Sequence, residues 1–196
     1  MSLISDQVDK KEIEVIILEL ERVIKNDVAG DVVEFGCYLG TTSVFIAKVL
    51  MNQNKNKQFF VYDSFEGLPE KTKEDISPLG DTFKPGELLA PKKQFIKNIF
   101  QAKVDMPNIK KAWFSDLKPD DVPEKVSFAF LDGDYYRSIA DPLKLLTSKL
   151  TPGATVIVDD YANAALPGAA KAVDEWLLKN KAIKRVEQSL AIIYVK

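Results

Sequence analysis

The chain has 196 residues, of which 46% are hydrophobic and 29% charged, enough for one sizeable core and too few for two ordinary domains. Its 27 basic and 29 acidic residues leave a formal charge of -2, so no global field draws it to nucleic acid or to an anionic membrane. Histidine is absent and Cys37 is the one cysteine, which excludes Ser-His-Asp triads, histidine metal sites, internal disulfides and paired-cysteine zinc or redox motifs.

In chain order, the N-terminal segment 1–30 carries Ile13, Ile16, Ile17, Leu20 and Ile24 at three- and four-residue spacing. This is the apolar stripe of a helix over 5–26, with Ser5 or Asp6 as its N-cap. After a break at Asp27–Gly30, short apolar runs alternate with helical patterns. Strands are expected at Asp31–Phe35, Gln58–Asp63, Ile109–Phe114, Val126–Leu131 and Ala154–Val158. Helices are expected at Thr41–Met51, Lys92–Gln101, Ser138–Lys149 and Gly168–Asn180, with Pro152-Gly153 as punctuation before the fifth strand. Ile183–Glu187 and Ala191–Val195 read as a terminal hairpin around Gln188-Ser189.

Strands joined through helices imply a largely parallel sheet, because parallel neighbours need crossover connections. The expected class is α/β: one doubly wound, mainly parallel domain over 1–196 with an antiparallel pair at one edge. No apolar run approaches the ~20 residues of a membrane span, and MSLISDQVDKKE does not resemble a signal peptide. A reducing, cytoplasmic setting without a membrane or nucleic-acid partner is expected.

Residues 66–91 break the alternation. EGLPEKTKEDISPLGDTFKPGELLAP is dense in proline and glycine and has little periodicity. A long irregular insertion in a compact domain is usually functional, and its place after the second strand sets it over the ligand-binding edge as a lid.

Glu34-Phe35-Gly36-Cys37-Tyr38-Leu39-Gly40 leads from the first strand to a helix. Gly36 and Gly40 suit a sharp turn and the close approach of a ligand, but the spacing is not the G-x-G-x-x-G of dinucleotide sites. Asp63 ends the second strand, followed by Ser64 and Phe65. An acid there can accept both hydroxyls of a ribose, with Phe65 as an apolar wall. Ser115 and Asp116, after the third strand, are candidates for contact with an adenine. Cys37 reads as a small packing residue.

Asp132-Gly133-Asp134 follows the fourth strand and Asp159-Asp160 the fifth. Neighbouring strands lie about 5 Å apart, so these carboxylates converge at one sheet edge and raise one another's pKa values. With no histidine to neutralise them, a hard divalent cation such as magnesium, manganese or calcium resolves the conflict. Tyr135, Tyr136 and Tyr161 stand beside the acids, placed to flank an acceptor.

The blocks VEFGCYLGTTS, VYDSFEGLPE, AWFSDL, FAFLDGDYY, VIVDDY and PGAAKAVDEW resemble, in this order, macrocin-type sugar O-methyltransferases. These are class I enzymes dependent on S-adenosylmethionine and a divalent metal. The resemblance implies a seven-stranded Rossmann-like sheet of order 3-2-1-4-5-7-6. It implies that Glu34, Gly36, Tyr38, Gly40 and Thr42 line the methionine half of S-adenosylmethionine. Asp63 would hold the ribose with Ser64 and Phe65 nearby, and Ser115 and Asp116 would approach the adenine. Asp132, Asp159 and Asp160 match the metal ligands and Asp134 the general base.

The implied acceptor is a small molecule with vicinal hydroxyls, a sugar above all. Family members commonly carry a longer region before the first strand, so the insertion at 66–91 is the other segment expected to cover the acceptor. Alternatives are a catechol-type small-molecule methyltransferase, whose glycine turn looks similar, and a nucleoside-binding domain without turnover. A nicotinamide-dependent oxidoreductase is disfavoured by the missing third glycine. Edge strands and the first helix offer surfaces for a homodimer.

Overall fold

The computed structural model describes residues 3–5, 7–53 and 57–196. Helix α1 (Lys10–Lys25) begins later than its apolar stripe suggests, and Asp9 is its N-cap. Asp9 Oδ1 accepts the Lys11 and Glu12 amides at 2.7 and 2.9 Å, and Glu12 Oε2 accepts the Asp9 amide at 2.9 Å. This reciprocal box satisfies amides that no helical carbonyl reaches. Ser5 instead donates its amide to Thr41 Oγ1 at 3.1 Å; Asp6 lies outside the described residues.

The chain continues through β1 (Asp31–Phe35), α2 (Thr41–Asn52), β2 (Phe59–Asp63), α3 (Lys92–Ala102) and β3 (Asn108–Lys111). It then forms β4 (Val126–Leu131), α4 (Tyr136–Leu146), β5 (Leu150–Val158), α5 (Pro167–Leu177), β6 (Ala182–Glu187) and β7 (Leu190–Val195). One sheet runs β3-β2-β1-β4-β5-β7-β6, the order the family resemblance implies. Among the described strands β7 alone runs opposite to the rest, and the terminal hairpin inserts this second strand between β5 and β6.

Two strands differ from expectation. β3 stops at Lys111, although the Ala112 amide still reaches the Asp63 carbonyl at 3.0 Å. Phe114–Asp116 then turns in a 3-10 helix, because Phe114 seats its edge on Phe35 at 5.4 Å rather than extending an exposed edge strand. β5 starts early at Leu150, which pairs with Val126, and a register shift absorbs Pro152-Gly153 inside the strand. A bulge accommodates a residue that cannot donate to the ladder.

Strand alternation divides the core into two layers. Val32, Phe128, Phe130, Ile157 and Ile192 face α1, α2 and α3, while Val33, Phe35, Leu131, Val156 and Val158 face α4 and α5. Each such side chain contributes roughly 1.5–3 kcal/mol on burial. A one-residue slip would reverse both faces, so the register is fixed. The insertion 66–91 folds back on itself, with Leu68 N to Glu87 O at 2.9 Å and Gly86 N to Leu68 O at 2.8 Å. It packs Leu68, Phe83 and Leu88 with Tyr135 and Leu166. Among the described residues no helix is long and apolar enough to cross a membrane.

Candidate active site

At the carboxyl edge of the sheet the turn after β1 is clamped from below by β2. Asp63 Oδ2 accepts the Cys37 and Tyr38 amides at 2.8 and 3.3 Å, and its Oδ1 accepts the Phe65 amide at 2.6 Å. Tyr38 and Phe65 both take left-handed backbone, at φ 45° and 54°, conformations that bulky residues hold only when their surroundings dictate them. Oδ2 also accepts from the Cys37 thiol at 3.4 Å, so with two lone pairs on each oxygen the acceptor capacity Asp63 keeps toward the space above it is on Oδ1.

That space is a cavity of about 540 Å³. Gly36, Tyr38, Asp63 and Ser64 form one wall, and Trp113, Phe114 and Ser115 form the end beyond β3. Asp132, Asp134, Asp160 and Asn163 line the side below β4 and β5, while Leu68, Phe83 and Leu88 of the insertion close the top with Leu166. Sequence-predicted nucleoside-side and acidic residues therefore meet at a single site.

Others stand apart from it. Glu34 alternates onto the opposite sheet face from Val33 and Phe35 and is buried against α2, where Ser43 donates to its Oε2. Gly40 ends the turn as the N-cap of α2 and Thr42 is buried in that helix's first turn, while Phe65 packs on Phe95 with ring centroids 6.0 Å apart. Asp116 is exposed. Asp159 is buried but turned aside: its Oδ1 accepts from Ser189 Oγ at 2.9 Å and from the Asp160 amide at 2.7 Å. The tyrosines serve elsewhere, Tyr136 donating to Glu175 at 2.7 Å and Tyr161 to Asp174 at 2.9 Å. Tyr135 is buried in the insertion's apolar cluster.

Sequence reasoning missed Gln7, Arg137 and Asn163, which line the cavity; it set the insertion over the site without singling out Leu68, Phe83 and Leu88 as the residues that form the wall.

The acids are electrostatically strained. Burial pushes the Asp134 carboxyl up to about 8, with Asp160 and Asp159 adding to it. Burial followed by Asp159, Asp134 and Asp160 raises Asp132 well above the ordinary range. Asp159 is pushed up to about 7 by burial, then by Asp160 and Glu12, against the lowering effect of its hydrogen bonds. Burial also raises Asp160, opposed by the hydrogen bond from Asn163. An oxygen-only donor set under mutual repulsion has the chemistry of a hard divalent cation site. In this arrangement, however, among the described residues no three acids are grouped closely enough to hold an ion. Burial, then Asp63, pushes the Cys37 thiol well up, which makes it an inert packing residue.

Glu34 yields a stability test. Burial raises its carboxyl from 4.5 to about 8, and among the described residues its Oε1 has no hydrogen-bond partner. Between those values the folded chain binds the proton that the unfolded chain releases, so stability falls as pH rises through that window. Glu34→Gln removes the titration while keeping the shape. The fall in melting temperature between pH 5 and 9 should be several degrees smaller in the variant; identical pH profiles would locate the effect elsewhere.

Residues 7–193 match the family of macrocin O-methyltransferases. The chain belongs to this family. Among curated members, 8-demethyl-8-(2,3-dimethoxy-alpha-L-rhamnosyl)-tetracenomycin-C 4'-O-methyltransferase of Streptomyces olivaceus is 33% identical over 150 residues, covering 73% of this chain and 57% of that protein. Demethyldecarbamoylnovobiocin O-methyltransferase of Streptomyces niveus is 29% identical over 168 residues, covering 82% of this chain and 63% of that one. The chain thus spans less than two thirds of the length of these relatives. Among solved structures, the O-methyltransferase NovP superposes with a TM-score of 0.80 at 25% identity, over 95% of this chain and 80% of that one. The calicheamicin methyltransferase CalS11 shares the fold, with a TM-score of 0.77 at 18% identity over 95% and 80%.

Proposed function

We propose that this chain is an S-adenosylmethionine-dependent O-methyltransferase that methylates one hydroxyl of a vicinal pair on a sugar of a small natural product, assisted by a divalent cation. The observation that carries the reading is the meeting, in one cavity, of a nucleoside-type wall (Asp63, Ser64, Ser115) with three aspartates from two adjacent strand ends. Relatives named for methylating a rhamnosyl-tetracenomycin and demethyldecarbamoylnovobiocin support a sugar-bearing small molecule as the acceptor.

When bound, S-adenosylmethionine supplies an electrophilic methyl group, and a divalent cation supplies a Lewis acid that lowers the pKa of a hydroxyl. Asp63 accepts a ribose hydroxyl at Oδ1, where one lone pair is left free. Ser115 stands toward the adenine end. Asp132 and Asp160 would hold the cation, joined by Asp159 once its carboxylate turns from Ser189. Asp134 accepts the proton of the attacking hydroxyl at its carboxylate, and the insertion's apolar wall keeps water from competing. Positioning supplies much of the acceleration, since aligned reactants act at very high effective concentration.

The test is methyl transfer over a panel of glycosides, free sugars and catechols, with magnesium or with EDTA. Transfer to a glycoside diol that EDTA abolishes is expected. Equal rates in both conditions would remove the metal, and methylation of catechols alone would move the acceptor to the catechol class. Thermal stabilisation by S-adenosylhomocysteine and not by NAD checks the cofactor.

A further inference from the structure

Asp75 lies in the insertion, at the end of a one-turn 3-10 helix (Lys73–Asp75), and is only 5% exposed. It does not line the cavity described above, yet both oxygens of its carboxylate are engaged. Oδ2 accepts the Thr72 amide and hydroxyl at 2.8 and 2.9 Å, and Oδ1 accepts the Tyr136 amide at 2.6 Å. Tyr136 opens α4, so the carboxylate meets an amide without a helical partner at the positive end of the helix.

The start of α5 closes on the same group. A Cβ at Gly168 would overlap Asp75 Oδ1 and lie 2.6 Å from the Tyr136 nitrogen. Two flanking ties follow the same path: Ser77 Oγ donates to the Ala164 carbonyl at 2.9 Å, and Lys171 pairs with Glu74 at 3.5 Å. The insertion is therefore fastened to both loops that bear the aspartates of the cavity. A residue needed only for packing would be apolar, because burying a carboxylate is costly unless its hydrogen bonds repay desolvation.

The turn that Asp75 pins is the one carrying Asp134. Asp134 sits at φ 59°, a left-handed conformation that persists only where neighbours over-determine it. Tyr135 N bonds the Gly133 carbonyl at 2.6 Å, and a Cβ at Gly133 would come 2.6 Å from that of Ser138. The turn is closed upstream by these contacts and downstream by the Asp75–Tyr136 bond. We propose that Asp75 is a positioning residue: through the Tyr136 amide it sets the Asp134 turn, and through its own loop it holds the insertion over the cavity, so the two are set together. This rests on the reading of Asp134 as the base.

The test compares Asp75→Ala, Asp75→Asn and Gly168→Ala in the full chain. Hydrogen exchange at Tyr136 and over 66–91 is read on the protein alone, and kcat and KM are read in methyl transfer. Asp75→Ala should lose protection at both places and lose about 10- to 100-fold in kcat, the scale of a ~1 Å misplacement. The KM for S-adenosylmethionine should stay within about twofold, since its wall is built from β1 and β2. Asn keeps an acceptor for Tyr136 and should recover part of both losses. Gly168→Ala, with Asp75 still present but displaced, should reproduce them. Unchanged protection in Asp75→Ala, or lost protection with unchanged kcat, would overturn the proposal. A wild-type chain that methylates no acceptor would instead count against Asp134 as base, and exchange would still decide the clamp.

Discussion

Asp134→Asn is expected to lower kcat by about 10²- to 10⁴-fold, the usual contribution of a positioned base, while affinity for S-adenosylhomocysteine stays within about twofold. The substitution is close to isosteric, and asparagine tolerates the left-handed backbone that Asp134 occupies at φ 59°. The turn should survive and only the capacity to take a proton should be lost. Asp63 and Ser64, on the β2 side of the cavity, are untouched. Stability should hold or rise, because the carboxyl replaced is one that burial, Asp160 and Asp159 all push toward its neutral form. Kinetics, calorimetry of S-adenosylhomocysteine and a melting curve on one preparation separate these effects. A near-normal kcat would assign proton removal to another group.

Much of the site was legible because strand ends announce themselves. Asp63, Asp132 and the Asp159-Asp160 pair each follow an apolar run directly, and parallel pairing brings such ends to one edge. What was not legible depends on orientation. Glu34 follows Val33 by one residue, so strand alternation alone turns it from the α4 and α5 layer toward α2. Ser189, 30 residues downstream in the β6–β7 turn, draws the Asp159 carboxylate aside. No local pattern marks that partner. The insertion was recognised by composition, but its attachment was not, since Asp75 meets its amide 61 residues away. The N-cap of α1 was misplaced for a simpler reason: Ser5 and Asp6 precede the stripe, yet Asp9 with Glu12 three residues on forms the reciprocal box.

Gly36→Ala should be the most damaging small substitution at the site, lowering the melting temperature by about 10 °C or more and abolishing retention of S-adenosylhomocysteine. At φ 86° an L-residue is strained, which alone costs about 1–2 kcal/mol. The larger effect is steric, because a Cβ there would overlap the Asp132 backbone carbonyl. Neither backbone can yield freely: the Gly36 amide is bonded to the Tyr62 carbonyl at 2.9 Å and the Asp132 amide to the Phe35 carbonyl at 2.8 Å. Relief must therefore open β1 from β4, at the seam where the glycine turn meets the acidic turn. Gly153→Ala is the control, with nearly the same φ of 85° but only the Val28 side chain within reach, at 3.4 Å. It should carry the backbone strain alone and lose about 2–8 °C, on a scale of roughly 2–4 °C per kcal/mol at this chain length. Equal losses in the two variants would mean that β1 and β4 do not approach so closely in solution, and the cavity wall built on that approach would fall with it.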